Sequence, residues 1–150
     1  MKFKVKQFEE LSNAELYAIL KLRSEVFVVE QDCVYLDLDD FDQKSIHIFG
    51  KHNDNIAAYT RILPPGLYYK EAAIGRVVTS KDIRMDGHGK EIMTFSMQWI
   101  NTQYQANIRI MAQCYLTKFY EDLDFKIDGP EFLEDGIPHV EMLFLSPSKG

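Results

Sequence analysis

The chain is short of cysteine, of positive charge and of long apolar runs, and each shortage removes a class of protein. Its two cysteines, Cys33 and Cys114, supply neither a disulfide framework nor a metal-spacing motif. They predict reduced thiols in a cytoplasmic setting. Lysine and arginine total 17 against 23 aspartates and glutamates, a net charge of −6. That sign does not suit a general nucleic-acid binder, whose phosphate contacts select basic faces. No stretch approaches the ~20 apolar residues of a membrane span. The N-terminus, MKFKVKQFEE, alternates charged and apolar residues and lacks the continuous apolar core of a signal peptide. Internal repeats, linkers and low-complexity segments are missing too.

What remains is an ordinary globular composition, 46% apolar and 27% charged. The length of 150 residues suggests one domain over 1–150 with its own core. An acidic surplus leaves room for one local basic site and would attract amines.

Local patterns predict the elements. Residues 3–8 alternate as a strand. Ser12 and Glu15 form a capping box, Leu11 and Leu16 sit at staple spacing, and Leu16, Ile19, Leu20, Arg23 and Phe27 carry a helix to about Val28. An acidic, partly aromatic loop follows over 30–43. SIHIFGK (45–51) and IAAYTRIL (56–63) read as strands around an HNDN turn. After Pro64-Pro65-Gly66, AIGRVVTS (73–80) is a strand, and a helix runs from about His88 to Gln103. NIRIMAQC (107–114) is a strand and LTKFYEDL (116–123) a short helix. FKI and VEMLFL read as two last strands around a Gly136/Pro138 turn. The order β-α-β-β-β-α-β-α-β-β predicts an α+β chain, a mixed sheet with helices on its faces.

Between the strand at 73–80 and the following helix stand Arg84, Gly87, Gly89 and Lys90. A P-loop fails here, because Arg84 takes the first glycine position and Glu91 follows Lys90. A Rossmann fingerprint fails because Ile92 takes the third glycine position, and several strands come first. Arg-x-x-Gly-x-Gly opening a helix remains. A helix N-terminus offers unpaired N–H groups, glycines allow close approach, and Arg84 and Lys90 add charge-assisted bonds. An ordinary loop and helix cap is the plain alternative.

Taken with other segments, this loop resembles the pyrophosphate loop of the GNAT superfamily of acetyl-CoA-dependent N-acetyltransferases. Arg84, Gly87 and Gly89 hold the motif positions; Met85 stands where many members have glycine. QCYLTKFYEDLDF (113–125) is similar to the family's Phe-Tyr-x-x-x-Gly-Phe segment, with Phe119, Tyr120 and Phe125 in place. Asp124 replaces the glycine and Gln113 stands for a common asparagine. Asp tolerates the left-handed conformation better than most residues. LRSEVFVVEQDCVYLDLDDFD (22–42), AYTRIL (58–63), IGRVVTS (74–80) and EDGIPHVEM (134–142) look like the ElaA-like branch. The resemblance spans nearly the whole chain.

It implies the GNAT fold, a central mixed, mostly antiparallel sheet flanked by helices. It implies acetyl-CoA as cosubstrate and a primary amine, small molecule or peptide, as acceptor, with direct attack in a ternary complex. Residues implied to hold CoA are Val77, Val78, Thr79, Arg84, Met85, Asp86, Gly87, His88, Gly89, Lys90, Gln113 and Phe119. A backbone N–H near Val77 or Val78 would meet the oxyanion, and Tyr120 would protonate the leaving thiolate. The acceptor amine needs a base or a water chain, and Glu30, His139 and His47 are candidates.

Each candidate has a plain alternative. Without the resemblance Tyr120 reads as a core aromatic, and with it the catalytic reading leads; His47 reads as a satisfied strand histidine, His139 as a turn residue, His52 as a solvated one and His88 as a backbone donor. Cys33 as a covalent nucleophile is disfavoured by its acidic neighbours Glu30, Asp32 and Asp37. Cys114 is most simply buried. The 30–43 loop fails as an EF-hand; it is either a solvated charged loop or an acidic rim drawing an ammonium, with Tyr68 and Tyr69 as an aromatic wall. A non-catalytic acyl-CoA-sensing module is the alternative function, and a small nucleotide-binding regulator a third. No metal site, nucleic acid or membrane partner is expected, and a homodimer is left open.

Overall fold

The computed structural model describes residues 1–147. Its centre is one eight-stranded sheet. The strands are β1 (Phe3–Gln7), β2 (Ile46–His52), β3 (Asn55–Leu63), β4 (Ala72–Thr79), β5 (Ile108–Gln113), β6 (Lys126–Ile127), β7 (Phe132–Glu134) and β8 (Ile137–Phe144). They run in the order β1-β2-β3-β4-β5-β8-β6, with β7 also on β8. Among the described residues only β4 and β5 pair in parallel. The expected mixed, mostly antiparallel sheet is therefore present. The strand at 132–134 is additional to the expectation.

The helices are α1 (Asn13–Arg23), α2 (His88–Tyr104) and the short α3 (Thr117–Glu121). Ser12 caps α1 by accepting the Glu15 N–H at 3.0 Å, and Glu15 accepts the Ser12 N–H at 2.9 Å. Both halves of the expected capping box are made, a feature worth about 1 kcal/mol. Helical backbone then continues past Val28, but Ser24–Glu30 is wound as a π-helix. This wider turn packs Val26 with Ile19, Leu22, Phe49, Tyr59 and Val78.

On the sheet's other layer α2 buries Ile92, Met93 and Ile100 against Ile48, Ile62, Ile74, Ile108 and Met142. Burying each such side chain stabilises the fold by roughly 1.5–3 kcal/mol. The α2 backbone starts from Gly87 at φ +80, a left-handed value that costs an L-residue more than glycine.

Two features of β4 shape the functional region. Three residue steps on β4, Gly75 to Val78, face two on β3, Arg61 to Tyr59. The extra residue is a bulge, with Arg76 at φ 50. Beyond Ala73, β4 also loses its pairing with β5, which is confined to Ala72–Ile108 and Ala73–Arg109. The two strands diverge and a gap opens between them.

The chain's end differs from expectation. Asp135 (φ 52) and Gly136 (φ 76) form the two-residue turn between β7 and β8. Both positive values suit a hairpin turn matching the strands' twist. Pro138 lies inside β8 rather than in the turn, so His139 is a strand residue.

Candidate active site

The gap between β4 and β5 is a cleft of about 980 Å³. Val77, Val78 and Thr79 line one side, Ile110 and Gln113 the other, and Gly89, Phe119 and Tyr120 its floor and end. Ile74, Gly75, Val78 and Thr79 keep their β3 partners, Arg76 and Val77 stand in the bulge, and none of residues 74–79 has a ladder partner toward β5 among the described residues. That edge is open to strand-like addition of an extended ligand.

At one end stands the glycine loop. Ser80 caps a 3-10 turn over Lys81–Asp86, and Gly87 turns the chain into α2. A Cβ on Gly89 would lie 3.7 Å from Phe119 and 3.9 Å from Thr79, ordinary contacts with two residues that line the cleft. Met85 is almost fully exposed. Arg84 is not free. It holds both oxygens of Glu30 from the end of the π-helix and donates to the Thr79 carbonyl at 3.2 Å. This pairing keeps the Glu30 carboxyl below its usual range. His88 is bonded to Glu91 at 2.8 Å.

Tyr120 is both a core aromatic and a cleft residue. It is 7% exposed and packs edge to face on Phe119 and Phe125. Burial pushes its phenol up to about 12, which holds the proton at neutral pH. Its hydroxyl has no hydrogen-bond partner among the described residues. Asp124 takes the left-handed turn after α3 at φ 71, as its residue type allows.

His139 also lines the cleft, opposite Gln113 across β5 and β8. Its Nδ1 is 2.7 Å from the Ile137 carbonyl oxygen. A carbonyl only accepts, so Nδ1 carries the hydrogen, and Nε2 is the nitrogen that can accept a proton. Gln113 donates to Gln31 at 3.3 Å. His47 is elsewhere: fully buried, 2.7 Å from the Tyr59 hydroxyl and 2.8 Å from the Asp42 carbonyl. It is a satisfied core histidine. Cys33 lines the cleft mouth with its thiol toward the Asp135 carbonyl at 3.6 Å, and Cys114 is half-exposed rather than buried.

The acidic loop is neither of the expected things. Tyr35, Asp37 and Asp39 point inward while Val34 and Leu36 are exposed. Asp37 binds Arg23 and Arg76, Asp39 binds Arg61 and Arg76, and Asp42 binds Arg23 and Arg61. Three arginines and three aspartates neutralise one another, with Asp39, Arg61 and Arg76 lining the cleft and Arg23, Asp37 and Asp42 behind them. Arg23, Asp37 and Asp42 are buried, so the loop is a clamp and not a solvated rim. Sequence reasoning missed this network and the bulged Arg76. Alternation at 33–39 and the lone Gly75 within a strand were the available signals.

Comparison with known proteins agrees with this architecture. The family described as "Acetyltransferase (GNAT) domain" matches residues 9–145. The chain belongs to the GNAT acetyltransferase family and is an acyltransferase, of a family that draws its acyl group from acyl-CoA. Within it, the chain is similar to the protein ElaA of Escherichia coli, 38% identical over 136 residues that cover 89% of each. The crystal structure of that ElaA superimposes with a TM-score of 0.88 over 95% of this chain and 97% of that one, at 34% identity. An acyl-CoA N-acyltransferase from Pseudomonas aeruginosa superimposes with a TM-score of 0.90, at 34% identity and the same coverage. No helix among the described residues is long and apolar enough to cross a membrane.

Proposed function

We propose that this chain, acting as one domain over 1–150, transfers the acetyl group of acetyl-CoA to a primary amine by direct attack in a ternary complex. One observation carries the reading: the open β4 edge at 74–79 runs from the glycine loop to a buried, protonated Tyr120 across a single cleft. Acetyl-CoA would supply the acyl group as an activated thioester.

The residues fit such a ligand. Val77, Val78 and Thr79 offer backbone to an extended arm. Met85, Asp86, Gly87, His88, Gly89 and Lys90 present the start of α2, where N–H groups and the helix dipole favour a pyrophosphate. Phe119 and Gln113 border the reacting end. Arg84 would exchange Glu30 for phosphate oxygens, a competition between two anions for one guanidinium.

Tyr120 holds the proton that the departing sulfur needs. His139 Nε2, with Nδ1 tied to a carbonyl, suits removal of the amine's proton directly or through water. Glu30 is the weaker base while Arg84 holds it. In balance, the amine nitrogen forms the new C–N bond, the C–S bond breaks, sulfur gains the Tyr120 proton and His139 takes one from nitrogen. Cys33 keeps its thiol against a carbonyl, which supports transfer without an acetyl-cysteine.

The test is release of CoA thiol from acetyl-CoA across an amine library, with thermal shift on acetyl-CoA alone. We expect a rise in melting temperature and amine-dependent thiol release. No rise and no release from any amine would overturn the proposal.

A further inference from the structure

The acceptor side of the cleft is unevenly charged. Four arginines line the cleft as a whole: Arg61, Arg76, Arg84 in the glycine loop, and Arg109. The first three are matched by Asp37, Asp39, Asp42 and Glu30, as described above. Arg109 is outnumbered, with Glu71 at 3.2 Å, Asp128 at 2.8 Å and Glu141 at 3.0 Å. Glu134 and Asp135 also line the cleft, both exposed, and neither carboxylate has an ion-pair partner among the described residues. Lining arginines and lining carboxylates are equal in number, but Asp37, Asp42, Glu71, Asp128 and Glu141 outside the lining engage the arginines as well and leave Glu134 and Asp135 without a cation among the described residues.

The same corner is aromatic. Phe41, Tyr68 and Tyr69 run edge to face, with centroids 5.5 and 4.7 Å apart. Tyr68 is 54% exposed, so its ring remains accessible. The Arg109 guanidinium lies 5.9 Å from the Tyr69 ring centroid and binds Glu141 at 3.0 Å, which joins the aromatic corner to the acidic wall and leaves Tyr68 as the open ring. Ring faces and carboxylates both attract an ammonium. An acceptor carrying its own carboxylate meets the unpaired Glu134 and Asp135 here, and among the described residues every lining guanidinium already holds a carboxylate.

We infer that the acceptor is an aliphatic diamine or polyamine: one nitrogen is acetylated while a second ammonium, several methylenes away, rests on Tyr68 beside Glu134 and Asp135. This rests on the acetyl-transfer reading above. The second charge explains the acidic hairpin turn, which the transfer chemistry does not use.

Steady-state kinetics with the full chain and saturating acetyl-CoA test it. The acceptors are 1,5-diaminopentane, spermidine, n-pentylamine, free lysine and a lysine-containing peptide. We expect kcat/KM at least about tenfold higher for the diamine than for n-pentylamine. Added salt should narrow that ratio. The double variant Glu134→Gln/Asp135→Asn, checked for unchanged melting temperature, should bring it close to one. An equal or better kcat/KM for n-pentylamine, lysine or the peptide overturns the acceptor class, as does an unchanged ratio in the variant. If acetyl-CoA still raises the melting temperature and some amine still reacts, the transferase reading survives that failure. If nothing binds or reacts, both fall.

Discussion

Tyr120 has two roles that one oxygen atom separates. Its ring packs on Phe119 and Phe125, and phenylalanine would pack as well. Its hydroxyl alone offers a proton. Tyr120→Phe should therefore keep the melting temperature and acetyl-CoA affinity while lowering kcat by ~10²–10⁴-fold, the usual range for general acid help. A wild-type kcat with the best acceptor across the pH range would leave Tyr120 as packing, and favour the acyl-CoA-sensing alternative. The Glu30–Arg84 pair makes a second residue-level prediction. Arg84 must leave Glu30 to meet a pyrophosphate, so Glu30→Gln should tighten acetyl-CoA binding by a few fold. Arg84→Ala should weaken it by ~10–100-fold, the worth of a charge-assisted bond. Calorimetry on both variants checks the pair; weaker binding in Glu30→Gln would show that Glu30 holds the loop for the ligand and does not compete with it.

At the scale of elements, the start of α2 is the informative case. Gly87 stands at φ +80, so any L-residue there strains the turn, by roughly 1–2 kcal/mol. Gly89 has no such constraint, and its Cβ would meet only ordinary contacts. Gly89→Val should accordingly fold, with a melting temperature close to wild type, yet bind acetyl-CoA about tenfold or more weakly because the side chain fills the approach to the backbone. Unchanged affinity in calorimetry would put the pyrophosphate elsewhere. These two glycines were legible in the sequence because their spacing and following helix are local. So were the Ser12–Glu15 box and the strands whose alternation faces one core. The π-winding of Ser24–Glu30 was not legible, since its periodicity resembles an α-helix over so few residues. The hairpin turn was misplaced by one signal, Pro138, which sits within β8 while Asp135-Gly136 makes the turn. The Arg76 bulge and the divergence of β4 from β5 depend on partners far along the chain, and they make the cleft.

Over the whole molecule, the unread feature is the charge network that ties the 31–42 loop to α1 and the sheet. Arg23 is fully buried, as is His47, and Asp42 joins them through its carboxylate and its carbonyl. Breaking one partner of a buried pair costs ~3–5 kcal/mol, so protons entering this network should destabilise the fold. Burial, with Arg23 and Arg61 nearby, lowers the His47 pKa below its ordinary 6.5. The folded state then refuses a proton that the unfolded state accepts, and stability falls as pH drops below about 6.5. Asp39 acts lower down. Burial alone would raise it, but the hydrogen bonds and charge of Arg61 outweigh that and bring it to about 2 from 3.8. Its contribution is present above about 3.8 and is lost as pH falls toward about 2. Asp42 is also lowered, through Arg23 and Arg61 against its own burial, and adds to the same acid loss. The melting temperature should hence fall in two stages, one beginning near pH 6.5 and one below about pH 4. His47→Asn cannot take up the proton, so its melting temperature should be lower than wild type at pH 8 but flatter between pH 7 and 5. Differential scanning fluorimetry over pH 3–8 on both proteins decides it. A wild-type curve without decline between pH 7 and 5, or a His47→Asn curve parallel to it, would mean that His47 is not the group that destabilises the fold in mild acid.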